Sequence, residues 1–205
     1  MSANWAFVAV MLSTVASAEG QWLTSRGRLV PETRFEAWGG PRTAGIGVVR
    51  PNADATAAWS AELVYAFLDR VVELRAARVW QFTRTRFATA SVNAGTSVFV
   101  VPVGLNLGLG PTAGLALSLG GKTVSLDLGL QTGVDLFIFE ASPRLPQRAS
   151  IGVTVRVRDF TFSAMARTGA DLVPGHAFVF RGDFILSLGW LVCGESENAF
   201  VSPPA

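Results

Sequence analysis

The residues best suited to covalent chemistry are a single histidine and two serines. His176 is the only histidine of the chain, and Ser163, Ser187 and Asp183 lie in the same part of the sequence. A serine hydrolase needs a histidine within hydrogen-bond reach of its serine, and an acid that orients that histidine. The alternating pattern places His176 on the opposite strand face from the other three, and neither serine sits in a nucleophile-elbow motif. We therefore predict no catalytic residues, with a membrane-embedded lipid-modifying hydrolase or acyltransferase as an alternative.

The chain has few side chains that are suited to binding a metal or a cofactor. Cys193 is the only cysteine, so the chain forms neither an intramolecular disulfide nor a cysteine-based metal cluster. A single histidine excludes a histidine-rich metal site. The glycine-rich stretch 104–114, GLNLGLGPTAG, has neither the dinucleotide nor the phosphate-loop spacing, and no helical pattern follows it. We predict no cofactor and no metal, and a formal net charge of +2 gives no reason to expect nucleic acid.

Charged residues that alternate with apolar ones are the remaining candidates for a site. In the stretch 122–139, KTVSLDLGLQTGVDLFIF, the even positions from 124 onward are apolar except Thr132, whereas Asp127, Gln131 and Asp135 occupy odd positions. Opposite faces of a strand carry alternate residues, so these charges share one face. Such charges either pair into an ionic ladder or line a narrow ion path. By parity, the predicted charges of the lumen are Asp127, Asp135, Arg156, Arg158, Arg181 and Asp183.

The elements that position these charges are strands with one apolar face. Charge-free apolar stripes of period two cover 99–109, 113–119, 124–138, 151–157, 160–166 and 178–192. The opposite face is rich in Gly, Ala, Ser and Thr, which fits the crowded interior of a narrow barrel better than a solvated sheet face. Half of the residues are hydrophobic and only 16% are charged, below the quarter that is usual for a soluble domain. We predict an all-β, single antiparallel transmembrane β-barrel with a narrow polar lumen. Its apolar stripes should face the lipid, and a bulge near Gly133 should turn Phe137 outward as well. The leucines expected to point outward are Leu105, Leu107, Leu126, Leu128, Leu130 and Leu186.

The pattern predicts about ten strands, with a range of eight to twelve. We count ten from residue 46 onward; a hairpin over 22–38 would give twelve, and merging the short strand 87–92 with its neighbour would lower the count towards eight. The stretch 54–80 fits a hairpin turning at Asp69-Arg70, which would place Glu62, Glu73 and Arg75 in the lumen. Its spacing also fits a helix.

Turn lengths predict which rim of the barrel faces outward. The tight turns Gly120-Gly121 and Arg158-Asp159 are expected on the periplasmic rim, and the longer links 140–148 and 168–175 on the extracellular rim. Binding residues usually lie on such loops. The predicted loop contacts, to lipopolysaccharide phosphates or a partner protein, are Arg144, Arg148 and Asp171.

The chain resembles the small outer-membrane β-barrel proteins of Gram-negative bacteria. The shared features are an N-terminal apolar run with an Ala16-x-Ala18 cleavage pattern, the stripes, the alternating turn lengths and the aromatic-rich final strand. We divide the chain into a signal peptide (1–18), an outer-membrane barrel (19–193) and a polar periplasmic tail (194–205). The resemblance implies contact with outer-membrane lipid, lipopolysaccharide, the assembly machinery and other envelope proteins.

The resemblance implies a non-enzymatic function for the chain. The barrel is expected to act as a scaffold, an envelope-complex component or a narrow pore, with its extracellular loops as a contact surface. Besides the lipid-modifying enzyme, a secreted soluble β-barrel that binds an apolar ligand remains an alternative, because fold class alone does not select a function.

Overall fold

The computed structural model describes residues 27–68, 70–102, 106–138, 143–172 and 179–192. The predicted signal peptide, the predicted tail, His176 and Cys193 lie outside these residues. Within the described ranges, no helix has the length and apolar character needed to cross a membrane. The strands are β1 Thr33–Gly39, β2 Thr43–Pro51, β3 Ala57–Ala66, β4 Val71–Arg84, β5 Ala88–Val101, β6 Asn106–Gly120, β7 Val124–Gly133, β8 Leu136–Phe137, β9 Leu145–Val157, β10 Phe160–Leu172 and β11 Val179–Val192.

The strands close into one antiparallel barrel of ten wall strands. Successive strands pair with each other, β11 pairs with β1, and β5 pairs with β6. β7 and the short β8 both pair with β6, so together they form one wall strand. A closed barrel leaves no strand edge with unpaired backbone groups, which is what a structure in lipid requires.

The predicted strand number is confirmed, but two errors in strand assignment cancelled. The sequence pattern split β5 and β6 into three pieces, at 87–92, 99–109 and 113–119, and it omitted β1. The piece 99–109 in fact runs across the connection between β5 and β6. Alternation continued in the sequence while the chain reversed direction, so periodicity alone did not reveal the turn. The stretch 57–84 is the predicted hairpin, β3 and β4, and not a helix.

Two phenylalanines lie on the face opposite to the one predicted. Phe99 was placed on an outward stripe, and a bulge near Gly133 was expected to turn Phe137 outward. Both rings are buried inside the barrel, with centroids 4.9 Å apart in an edge-to-face arrangement. Phe99 stands opposite Gly108 of β6, and a Cβ on that glycine would lie 2.0 Å from the ring. The glycine therefore makes the room in which the interior aromatic pair packs.

The two rims of the barrel differ in the length of their connections. One rim carries the short connections 52–56, 85–87, 121–123 and 158–159, and both ends of the described barrel. The other rim carries the longest links, which follow β8 and β10, and also the connection between β3 and β4. We call the first the periplasmic rim, following the rule for membrane barrels. Arg70 and Arg158 have φ values of 53°, as tight turns require.

Candidate functional site: the barrel interior

A buried ionic triad joins β3 and β4. Arg75 forms two hydrogen bonds with the carboxylate of Glu73, and its Nη1 lies 4.0 Å from Oε2 of Glu62. All three side chains are at most 3% exposed. Glu73 and Arg75 are two residues apart on one strand, and Glu62 is opposite Arg75 in the register of β3 and β4. Alternation therefore places the three charges on one inward face.

A second group of ion pairs lies between β9, β10 and β11. Arg148 Nη2 lies 2.6 Å from Oδ1 of Asp171, and Arg181 Nε lies 3.5 Å from its Oδ2. Arg167 and Asp183 are 3.4 Å apart across β10 and β11. These pairs fill the upper half of the interior, towards the rim with the long links.

Four of the predicted site residues occupy positions that differ from the prediction. Arg144, Arg148 and Asp171 were expected on extracellular loops, but all three are buried inside the barrel. β9 and β10 extend further than predicted, because charged residues that point inward at a strand end look like loop residues in the sequence. Arg158 was expected in the lumen, but it occupies the exposed turn between β9 and β10.

The other five predicted lumen residues lie at several levels of the interior. Asp135 is fully buried near the upper rim, where its backbone forms two hydrogen bonds with that of Arg144. Arg181 and Asp183 belong to the ion pairs described above. Asp127 and Arg156 lie lower, towards the periplasmic rim.

Asp127 is held by hydroxyl groups. Its carboxylate accepts hydrogen bonds from Ser118 Oγ and, at 2.6 Å, from Thr154 Oγ1. Ser163 Oγ lies 2.9 Å from the same threonine hydroxyl. One of the two serines considered for hydrolysis is therefore part of this hydroxyl cluster.

Residues 27–32, which we call the strap, cross the periplasmic mouth inside the barrel. The backbone N–H of Arg28 donates to Ser118 Oγ at 3.1 Å, and its Nη2 donates to the carbonyl of Gly120 at 2.8 Å. A Cβ on Gly27 would lie 2.6 Å from the carbonyl oxygen of Thr89, so the strap starts in close contact with β5 and β6. The sequence did not predict this segment, because it has no periodicity.

The other end of the strap is held by one apolar and one ionic contact. Leu29 is buried in a cluster of inward-facing apolar residues that includes Trp38 and Ile185, and its N–H donates to Gln81 Oε1 at 3.0 Å. Glu32 Oε1 lies 2.8 Å from Nη2 of Arg156. Burial by itself would raise the pKa of Glu32, but the hydrogen bond and positive charge of Arg156 outweigh it and hold the pKa below its ordinary value.

The inner wall has an apolar part and a polar part. The strands β1 to β4 and β10 to β11 supply most of the apolar cluster around Leu29. From β5 to β7 the buried inward-facing side chains are mostly small and polar: Thr89, Ser91, Asn93, Ser97, Ser118 and Asp127. Cavities along the interior have volumes of 10, 20 and 40 Å³. Each of these cavities holds a few waters at most.

The outer surface has the opposite polarity to the interior. The predicted outward leucines Leu107, Leu126, Leu130 and Leu186 are exposed, Leu128 is half-buried, and Leu105 lies outside the described residues. Exposed aromatic side chains lie near both rims, with Tyr65 and Phe67 on one side and Trp59, Trp80, Phe160 and Trp190 towards the other. An apolar band between aromatic girdles is the surface of a barrel that spans a membrane.

The molecule is a transmembrane β-barrel. A secreted soluble barrel with an apolar ligand inside would need the opposite polarity, with large apolar side chains inside and charges outside. No family model matches the barrel, and no curated protein matches it.

Several solved structures are similar to this chain. CdiB from Acinetobacter baumannii is 9% identical, with a TM-score of 0.37; the alignment covers 77% of this chain and 35% of CdiB. The outer membrane channel DcaP of Acinetobacter baumannii is 12% identical, with a TM-score of 0.37 and coverage of 80% and 60%. KdgM porin is 8% identical, with a TM-score of 0.37 and coverage of 78% and 98%. The chain thus spans about a third of CdiB and three fifths of DcaP.

Proposed function

We propose that the barrel is a narrow outer-membrane pore for water and small ions, closed at rest by the strap. The polar inner wall of β5 to β7 carries this proposal. Ser91 and Asn93 are buried there, and their side-chain polar atoms have no hydrogen-bond partner among the described residues. Buried polar groups are normally satisfied, by water where no protein group is in reach. Water along this wall would provide the path that a small ion needs.

The strap is suited to closing this path because it is not part of the sheet. Apart from the hydrogen bonds of Arg28 and of the Leu29 backbone N–H, it is held by the Leu29 side chain in the apolar cluster and by the ion pair of Glu32. If these contacts were lost, residues 27–32 would leave the mouth without breaking any hydrogen bond between strands. The barrel wall would remain intact, as a gated pore requires.

The interior charges limit what such a pore would pass. Arginines and carboxylates alternate around the ionic layers, so the lumen has no strong net charge of either sign. The spaces between them are close to the size of one or two water molecules. The pore would therefore pass water and small ions that shed most of their hydration shell, and not organic solutes.

A closed scaffold is the second candidate. It is favoured by the complete ion pairing around Arg75 and Asp171, because paired charges fill a barrel and rigidify it. In that case the function would reside in the rims, and the strap would be a permanent part of the interior.

Both candidate functions, the pore and the scaffold, are non-enzymatic. Ser163 is engaged with Thr154, and Asp183 accepts hydrogen bonds from Thr43 and Arg167, so both side chains serve contacts of the wall. His176 lies outside the described residues.

Conductance in planar lipid bilayers distinguishes the pore from the scaffold. The wild-type barrel should show rare, small openings. Leu29→Gln and Glu32→Gln should raise the open probability, because each removes one contact that holds the strap. Arg158→Gln is the matched control, since it changes a charge on the same rim without touching the strap. If all four proteins fold, as judged by heat-modifiable migration on a gel, and none conducts above the bare bilayer, the pore is excluded and the scaffold remains.

A further inference from the structure

Two arginines lie on the lipid-facing surface, where the described strands otherwise carry no charge. Arg50 of β2 is directly opposite Trp59 of β3, which is in turn directly opposite Arg78 of β4. All three occupy outward-facing positions of their strands. The guanidinium of Arg78 lies over the Trp59 ring, 4.9 Å from its centroid. The three residues therefore form one row, with an indole between two cations.

The two cations have no acidic partner within the described ranges. No carboxylate of the described residues forms an ion pair with Arg50 or Arg78, whereas the buried arginines Arg75, Arg148 and Arg181 all have one. A lipid-facing arginine is strongly unfavourable at the bilayer midplane and is tolerated near the headgroups. This row should therefore lie at headgroup level, where an anion from the membrane can supply the missing charge.

The position of the row in the barrel agrees with that level. Arg50 is the last residue but one of β2, and Trp59 is the third residue of β3, next to the connection 52–56 of the periplasmic rim. Trp80 follows Arg78 by two residues on the same face and is exposed. Tryptophan side chains concentrate at the boundary between hydrocarbon and headgroups. The row thus lies at the periplasmic boundary of the membrane.

An apolar groove begins directly above the row. It has a volume of 780 Å³, and its floor includes Val48 and Ala61. These two residues are paired with each other. Each lies two positions nearer the membrane centre than the row: Val48 on the strand of Arg50, and Ala61 on the strand of Trp59. Larger side chains, Ile46, Leu63 and Leu74, border the groove. The charged row is therefore next to an apolar groove that is large enough for an acyl chain.

We propose that Arg50, Trp59 and Arg78 bind the phosphate of a phospholipid of the periplasmic leaflet, with an acyl chain in the adjoining groove. Opposed residues of antiparallel neighbours have Cα atoms ~5 Å apart, so the two arginines are separated by ~10 Å and can both reach one phosphate group. Guanidinium is the side-chain group best matched to phosphate oxygens. The groove selects a lipid over free phosphate, because it offers apolar surface that only acyl chains would cover.

Native mass spectrometry of the full chain in detergent, titrated with phosphatidylglycerol, tests this proposal. An interfacial basic residue typically strengthens binding to anionic lipid roughly fivefold, so Arg50→Gln and Arg78→Gln should each weaken binding about fivefold and together about thirtyfold. Arg158→Gln, which removes an exposed charge from the same rim, should leave binding unchanged. Equal binding by the double variant and the wild type would overturn the proposal, as would an equal loss in Arg158→Gln.

Two further measurements distinguish binding of a phospholipid from binding of other ligands. Diacylglycerol, which has no phosphate, should bind far more weakly than phosphatidylglycerol, and inorganic phosphate in excess should not displace the lipid. Ala61→Leu, which fills the floor of the groove without changing charge, should weaken binding severalfold. Displacement by inorganic phosphate, or unchanged binding in Ala61→Leu, would show that the arginines hold a free anion and would overturn the assignment to a phospholipid. These outcomes do not depend on whether the barrel conducts.

Discussion

The buried triad of Arg75, Glu73 and Glu62 predicts a large loss of stability when its cation is removed. Arg75→Met retains much of the side-chain volume but leaves two carboxylates, each at most 3% exposed, without their cation. Removing one partner of a buried ion pair typically costs ~3–5 kcal/mol of unfolding free energy, and two acids share this arginine. We therefore expect Arg75→Met to fall in the upper part of that range.

Removing the whole triad should restore most of this stability. When the variant also carries Glu62→Gln and Glu73→Gln, no charge of the triad is left, and replacing a complete buried ion pair is often neutral or stabilising. The triple variant should therefore lie within ~1–2 kcal/mol of the wild type. A simple loss of packing at residue 75 would give no such recovery.

Urea unfolding in lipid vesicles, followed by tryptophan fluorescence and by heat-modifiable migration, measures these free energies. Arg158→Met is the control; because residue 158 lies in an exposed turn, it should change stability by ~0.5 kcal/mol or less. An Arg75→Met variant within about 1 kcal/mol of the wild type would refute the reasoning, since it would mean that water reaches the triad. A triple variant less stable than the single one would refute it equally.

Three further predictions concern orientation, the strap and catalysis. A spin label at Leu130 should be reached by a lipid-soluble relaxing agent and one at Asp127 should be shielded; the reverse result would invert the faces of the barrel. Because the pKa of Glu32 lies below its ordinary value of 4.5, its ion pair is intact above that pH and is lost as the pH falls through the lowered pKa. A spin label at Val30 should therefore become mobile only in acid, and Glu32→Gln should make it mobile at neutral pH. His176→Ala should leave folding, conductance and the lipid composition of the membrane unchanged, and loss of a lipid-modifying activity would restore the enzyme hypothesis.

The assignment of residues to faces could be read from the sequence, because it depends only on alternation. The hairpin over 57–84 illustrates this: Leu63 and Leu74 face outward and Glu62 and Glu73 face inward, as period two requires. The residues at which strands begin and end could not be predicted in the same way. Around residue 102 the alternation runs on while the chain turns, and at Arg148 and Asp171 it continues with charges that resemble loop residues.

The strap and the lipid-facing row show why periodicity is incomplete evidence for a site. Residues 27–32 have no regular pattern, and their position follows from an ion pair with a residue 124 positions away. Arg78 interrupts an apolar stripe in the sequence, but its neighbours Arg50 and Trp59 are known only once the register of three strands is known.

Composition and alternation alone are enough to identify an all-β membrane barrel with an apolar exterior and a polar lumen, because lipid demands an uncharged outer face at every second residue. They do not identify which charges meet. The pairs Arg148–Asp171 and Arg167–Asp183 join residues 23 and 16 positions apart. Such pairing depends on strand register and barrel closure, which set the height of each side chain in the lumen. Alternation determines which face of a strand a residue occupies, but it does not determine the height of that residue along the barrel axis. The arrangement of the interior therefore follows only from the folded barrel.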